Sequence, residues 1–207
     1  MALHIVTNPI IQNALTILRQ ENSPLLQFRQ ACHQITFGLI LEASNRFSTK
    51  EINIKTPLAI CQAQQIENPI AFIPILRAGL AMLNCAITLS PTAKIGYLGL
   101  QRNEKSGQIS SYYENLPNIN GTNVLILDPM VATGRSACKA MEIILQNSPK
   151  TISLCSIIVS QMGLKFISEK FDNVHIYSAA IDDNINAQKY IIPGLGDFGD
   201  RFNATTI

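Results

Sequence analysis

Asp128 closes a run of apolar residues, Val124-Leu-Ile-Leu127, and is followed by Pro129-Met-Val131 and then by Ala132-Thr-Gly-Arg-Ser136. A carboxylate at the end of a buried strand, with small and hydroxylic residues leading into a helical pattern, reads as strand, loop, helix. Open α/β sheets bind ligands at that strand end. Amides at the helix start, with the Thr133 and Ser136 hydroxyls, make a phosphate cradle. Two arginines follow other apolar runs: Arg77 in Arg-Ala-Gly79 and Arg102 in Gln-Arg-Asn-Glu104. Arginine offers paired donors to phosphate oxygens, whereas an ionised carboxylate only accepts and so can hold two hydroxyls. Two arginines and one acid therefore suit a molecule with an anionic leaving group and a diol. A third stretch, Tyr190-Ile-Ile-Pro-Gly-Leu-Gly-Asp-Phe-Gly-Asp-Arg201, has glycine at 194, 196 and 199. Glycine lets backbone approach a ligand closely or take positive φ, so amides and carbonyls there can read the hydrogen-bonding edge of a base. Taken singly, each stretch has a plainer reading, as helix caps, solvated arginines and a terminal turn. Their convergence on one sheet edge favours a site.

The surrounding pattern predicts that convergence. Asn8-Pro9 and Ser23-Pro24 start two N-terminal helices, the second running to about Asn45, since proline fits the first helical turn. Glu51 to Lys55 and Leu58 to Cys61 suggest an exposed antiparallel pair away from the core sheet. Ile70 to Ile75, Ile95 to Leu100, Val124 to Leu127, Ile152 to Val159 and Val174 to Ile181 are apolar strand candidates, with helical segments to about Leu89, after Ser136 and over Gly163 to Lys170. Alternation of strand and helix argues for an α/β fold with a doubly wound, mainly parallel sheet. In such a sheet Arg77, Arg102 and Asp128 open on the same edge. The polar connection Ser106 to Asn120 is long, as lids and disordered segments usually are; its Tyr112 and Tyr113 read as a β-hairpin or interface pair ahead of a lid.

With 207 residues and no composition break, residues 1–207 read as one domain. A net charge of +2 with scattered Lys and Arg excludes a basic stripe, so no nucleic-acid partner is expected. Five cysteines at no metal-ligand spacing read as reduced, mostly buried thiols. Met1-Ala-Leu-His4 does not begin a signal peptide, and Ala78 to Leu89 is short and broken by Asn84. A cytoplasmic protein with no membrane partner is the expectation. His4, His33 and His175 show no metal-like spacing and read as structural or surface residues.

The stretch from Asp128 to Ser136 resembles the phosphoribosyl-diphosphate (PRPP) loop of type I phosphoribosyltransferases, and Asp-Pro-Met followed by Ala-Thr-Gly is similar to the uracil phosphoribosyltransferase branch. Pro74-Ile-Leu-Arg-Ala-Gly-Leu80 and Gln101-Arg-Asn-Glu104 resemble that branch's diphosphate loops, and Pro193 to Arg201 its uracil-binding segment. The resemblance runs from Val6-Thr-Asn-Pro9 to Asp200-Arg-Phe202. It implies PRPP binding by Arg77, Arg102, Asp128, Pro129, Met130, Val131, Ala132, Thr133, Gly134, Arg135, Ser136 and Asp197, and uracil binding by Ile191, Gly196, Asp197 and Phe198. Asp128, Arg102 and Asp197 would be the catalytic residues. It also implies transfer of phosphoribosyl to uracil, Mg2+ held mainly through PRPP and no protein metal site, possible activation by GTP, and a homodimer or homotetramer with the exposed pair and N-terminal helices as candidate contacts. Three departures stand out: Asn103 where relatives carry Asp, Arg135 in place of the second glycine of Thr-Gly-Gly, and Ser160-Gln-Met-Gly163 in place of an Ala-Pro segment. If Arg135 is already helical it can point to solvent or add a donor to the 5′-phosphate. The departures keep two alternatives open: a catalytically weak PRPP- or nucleotide-binding regulator, and a phosphoribosyltransferase for another base.

Overall fold

The computed structural model describes residues 1–102 and 108–205, apart from the side chain of Arg102. Asn103 and Glu104 therefore lie outside the described residues. Strand β1 (Ala2–Ile5) leads to helices α1 (Pro9–Arg19) and α2 (Leu25–Ser44), then to β2 (Thr49–Lys55) and β3 (Ile60–Ile66). Next come β4 (Ile70–Leu76), α3 (Leu80–Leu89), β5 (Lys94–Ile95), β6 (Tyr97–Arg102) and β7 (Ile109–Asn115). They are followed by β8 (Asn123–Leu127), β9 (Met130–Val131), α4 (Arg135–Leu145), β10 (Thr151–Ser160), α5 (Gln161–Ser168) and β11 (His175–Asp182). The chain closes with β12 (Asn184–Ile185), β13 (Ile191–Ile192) and α6 (Phe198–Asn203).

The main sheet runs β1-β11-β10-β8-β4-β6-β7, with β5 beside β4 and β9 beside β10. Its pairings are parallel except that of β6 with β7. From β4 the chain passes through α3 to β6 on one side, then returns to β8 on the other, so β4 and β8 flank the point where strand order reverses. A crevice opens there beyond the carboxyl ends of the strands.

Side-chain alternation builds a core on each face. Leu125 and Leu127 of β8 join Phe72, Cys155 and Tyr177 beneath α1, α2 and α3, while Val124 and Ile126 join Ile73, Leu154 and Ile176 beneath α4 and α5. Residues 123–127 are all buried, as a strand covered on both sides requires. The first helix starts where expected: Asn8 accepts the Ile10 amide at 2.9 Å and Pro9 occupies the first turn. The α2 residues Phe28, Ala31, Cys32, Ile35, Leu39 and Ala43 form its buried stripe. The β2–β3 hairpin stands exposed, with Leu58 at its turn 97% accessible.

Two features become definite. The described part of the long polar connection is β7, an exposed edge strand that returns antiparallel along β6, so Tyr112 and Tyr113 lie on a β-hairpin, as their pairing suggested, and not on a lid. Its residues face solvent on both sides, so no burial pattern marks it in the sequence. Two of the histidines have a structural place: pairing of β1 with β11 brings His4 Nε2 within 3.0 Å of His175 Nδ1, and stacks His4 on Tyr177 at 4.6 Å. That pair lies where β11 begins, at the edge opposite Asp128. Among the described residues no helix is long and apolar enough to cross a membrane.

Leu125 is fully buried in the central strand. Leu125→Ala should lower unfolding free energy by about 2–5 kcal/mol in denaturant titration, whereas Leu58→Ala should change it by less than about 0.5 kcal/mol.

Candidate active site

The β4–α3 turn and the end of β8 meet at the reversal point. Gly79 lies so close to β8 that a β-carbon there would sit 2.3 Å from the Leu127 carbonyl oxygen and 2.8 Å from Ile75 backbone atoms. Glycine is therefore required, and with it the turn carrying Arg77 is pressed against the residue preceding Asp128. Arg77 itself is exposed at the mouth of a cleft of about 780 Å3. The opposite wall of that cleft is the start of α6, including Asp197, Phe198 and Gly199.

Beside it, Asp128, Met130, Val131, Ala132, Thr133, Gly134, Ser136 and Ala137 line a pocket of about 120 Å3. Gly134 takes φ +71° as the N-cap of α4, and the first helical hydrogen bond runs from the Cys138 amide to the Gly134 carbonyl at 2.9 Å. The amides of residues 135–137 are thus the unpaired donors that every helix start presents. They and the hydroxyls of Thr133 and Ser136 form an anion site of phosphate size. Pro129 is buried, and its carbonyl accepts the amides of Ile157 and Ile158 at 3.0 and 3.1 Å, fixing the loop to β10. Arg135 is the first helical residue, so the left-handed position falls on Gly134 instead. Its guanidinium packs over Phe166 of α5, 5.3 Å from the ring centroid, on the outer surface and away from the pocket.

The departure at 160–163 has a structural role that the sequence alone did not disclose. The Ser160 hydroxyl donates to the Ala132 carbonyl and accepts the Gly163 amide at 2.9 Å, so one group ties the cradle and caps α5. A β-carbon on Gly134 would lie 2.7 Å from the Gly163 carbonyl, and one on Gly163 2.8 Å from the Ala132 carbonyl. The two backbones touch because neither position carries a side chain. A serine directly before a helix start, three residues ahead of a glycine, was the available signal.

In the glycine-rich segment, Asp197 caps α6 by accepting the Asp200 amide at 2.9 Å, while its second oxygen accepts the Tyr190 hydroxyl at 3.2 Å. The carboxylate raises the Tyr190 phenol above its usual pKa, which keeps that phenol a donor. Gly196 is exposed at φ +80°. The side chains of Ile191 and Phe198 are buried in the core, Phe198 against Phe28 and Phe202, so what they offer a ligand is backbone and a fixed floor. The site thus gathers Arg77, Asp128, the 130–136 loop and Asp197 at one edge, while Gly196 lines an adjoining pocket that shares Asp197 and holds Arg19 and Arg201. Arg102 ends β6 on that same edge, with its side chain outside the described residues.

Burial pushes the Asp128 carboxyl up from 3.8 to about 7, against a lowering hydrogen bond from the Met130 amide. Near neutral pH it is poised between a neutral acid and the carboxylate that a diol would hold.

The model of the family described as uracil phosphoribosyltransferase matches residues 5–205, which takes in every element of this site. The chain belongs to the uracil phosphoribosyltransferase family. Relatives bearing that name include those of Campylobacter curvus, 40% identical over 200 residues and 96% of each chain, and Ureaplasma parvum serovar 3, 39% identical over 203 residues, 97% of this chain and 98% of the other. Among solved structures, a protein from Aquifex aeolicus superposes with a TM-score of 0.93 at 35% identity over 99% of each chain. A hypoxanthine-guanine phosphoribosyltransferase from Bacillus anthracis, 14% identical with a TM-score of 0.54 over 76% of this chain and 80% of the other, shares the fold.

A folded-state pKa raised above the unfolded value means that the native protein binds this proton more tightly. The contribution is stabilising below about pH 4 and is lost as pH rises through about 7, leaving a buried charge. Asp128→Asn should therefore raise the melting temperature at about pH 8 by several degrees, with a gain that shrinks on acidification and vanishes near pH 4 in thermal scans.

Proposed function

We propose that this protein transfers the phosphoribosyl group of PRPP to uracil, giving uridine 5′-monophosphate and diphosphate in pyrimidine salvage. The observation that carries this reading is the meeting of Arg77, the Asp128 cradle and the 190–201 segment at one strand-reversal point, in a chain of this family. In the reaction the anomeric C–O bond breaks with its electron pair leaving on diphosphate. Uracil N1 supplies the pair for the new C–N bond and gives up its proton. The ribose becomes cationic in passing, so the protein's work is to hold three pieces in line and to stabilise the departing charge.

Each part of the edge suits one piece. The amides at the start of α4, with Thr133 and Ser136, suit the 5′-phosphate; the Asp128 carboxylate suits the two ribose hydroxyls. Arg77, and Arg102 by the same resemblance, suit the diphosphate as it accumulates charge. Gly196 and Asp197 face the region left for the base, and Asp197, fixed by Asp200 and Tyr190, is suited to orient uracil as N1 attacks. Mg2+ enters this proposal as a partner of the substrate. Asp128 supplies the kind of oxygen such an ion prefers, and diphosphate, ribose and water would supply the rest. When bound it would neutralise part of the diphosphate charge. A homodimer or homotetramer in the cytoplasm, using the exposed hairpin or the N-terminal helices, and activation by GTP complete the proposal.

Labelled uracil with PRPP and Mg2+, with and without GTP, should yield uridine monophosphate. PRPP binding without product under every condition would overturn the assignment in favour of another base or a regulator. Asp197→Asn retains an oxygen to cap α6, so it should lower kcat by about tenfold or more with an unchanged melting temperature. Full activity in that variant would remove Asp197 from the mechanism.

A further inference from the structure

The base segment is held by an ion pair whose acid, Asp182, is buried behind it, while Arg19 lines a pocket of about 430 Å3 together with Gly196, Asp197 and Arg201. Asp182, the last residue of β11, is 5% exposed, and its carboxylate receives Arg19 in a two-pronged pair, Nη1 to Oδ2 at 2.8 Å and Nη2 to Oδ1 at 2.7 Å. Oδ2 also accepts the Gly194 amide at 2.8 Å, while Arg19 Nη1 donates to the Gly194 carbonyl at 2.9 Å. Both polar groups of the Gly194 backbone are thus committed to one ion pair. The turn they hold is tight: Gly194 sits at φ +55°, where a β-carbon would lie 2.1 Å from the Ile191 carbonyl.

The next carbonyl is held in the same way. Arg201 Nη1 donates to Leu195 and to Leu18, each at 2.6 Å, its Nη2 reaches the Gln20 carbonyl, and the guanidinium lies 4.5 Å from the Phe28 ring centroid. Consecutive carbonyls of the segment, 194 and 195, are therefore tied to the C-terminal end of α1 by two arginines. Exposed backbone in the segment resumes at Gly196, immediately before Asp197. None of these side-chain hydrogen bonds reaches the phosphate cradle, which is braced by the Pro129 carbonyl on β10 and by Ser160, the β10 residue paired in register with Asp182.

We propose that Arg19 and Asp182 are positioning residues for the base: the pair sets the height and tilt of the 194–197 backbone and thereby the affinity for uracil, while leaving PRPP binding alone. This rests on the reading that the 190–201 segment holds the base. Arg19 is suited to the task because its planar fork meets carboxylate and carbonyl at once, a geometry lysine cannot copy. Removing Arg19 alone would leave the buried Asp182 carboxylate without its cation.

The test uses Arg19→Lys and Asp182→Asn in the full-length protein. Loss of charged hydrogen bonds to the segment should raise the uracil KM by about tenfold, with the PRPP dissociation constant in calorimetry unchanged within about twofold. Hydrogen exchange should accelerate at the amides of 194–197 and stay constant at those of 135–137. Arg19→Met should exceed Arg19→Lys in each effect. Unchanged exchange at 194–197, or an unchanged uracil KM in a variant whose loop has loosened, would overturn the proposal, as would parallel loss of uracil and PRPP binding. Failure of the unmodified protein to form uridine monophosphate would instead overturn the enzyme reading, and the exchange comparison would still decide whether the ion pair fixes the segment.

Discussion

The site depends on a contact that only the absence of a side chain permits, the approach of Gly79 to the Leu127 carbonyl. Two neighbouring parallel strands end there, and the chain leaves them toward opposite faces of the sheet, so a gap between their loops is the natural outcome. Glycine closes it. Because the β4–α3 turn then rests on the last residue of β8, an arginine for one end of a ligand and a carboxylate for its middle share a common floor. The two-sided burial of β8 makes that floor rigid, since close-packed side chains on either face leave the strand no room to shift.

A rigid floor has an electrostatic consequence. Asp128 is where the low-dielectric interior reaches the crevice, so its charge is disfavoured in the empty protein. The hydroxyls of a sugar would replace the water that burial removes, and the carboxylate would regain donors only with ligand in place. A residue that weakens the resting fold is thus matched to the bound state, a compromise common at functional sites.

The sequence made the central architecture legible because its strands are continuous apolar runs and its helices carry proline or serine starts; α1, α2, β4, β8, α4 and β10 fall within a residue or two of their expected bounds. Elements that escaped notice lack those signals. β1 is four residues long and takes its place by pairing with β11, nearly the whole chain away. β7 is polar on both sides, so only its tyrosine pair suggested a hairpin, and α6 is six residues begun by an aspartate inside a glycine-rich run, where turn chemistry masks a helix start. At the site, motif order located the cradle and the glycine segment, but side-chain direction was not readable. Phe198 turns into the core and Arg135 onto Phe166, because burial and ring stacking decide orientation and neither has a signature in spacing. Arg19 and Asp182 are separated by more than 160 positions, and only the fold brings them together.

The facing glycines 134 and 163 carry a consequence for how this chain can vary. A side chain on Gly134 would meet the Gly163 backbone, one on Gly163 would meet the Val131 and Ala132 carbonyls, and the Ser160 hydroxyl spans the same junction. Because these contacts are with backbone, no replacement at one position makes room for a side chain at the other, and the phosphate loop and the start of α5 form one junction that asks for glycine on both sides. Neutral drift along the family would then leave both glycines in place.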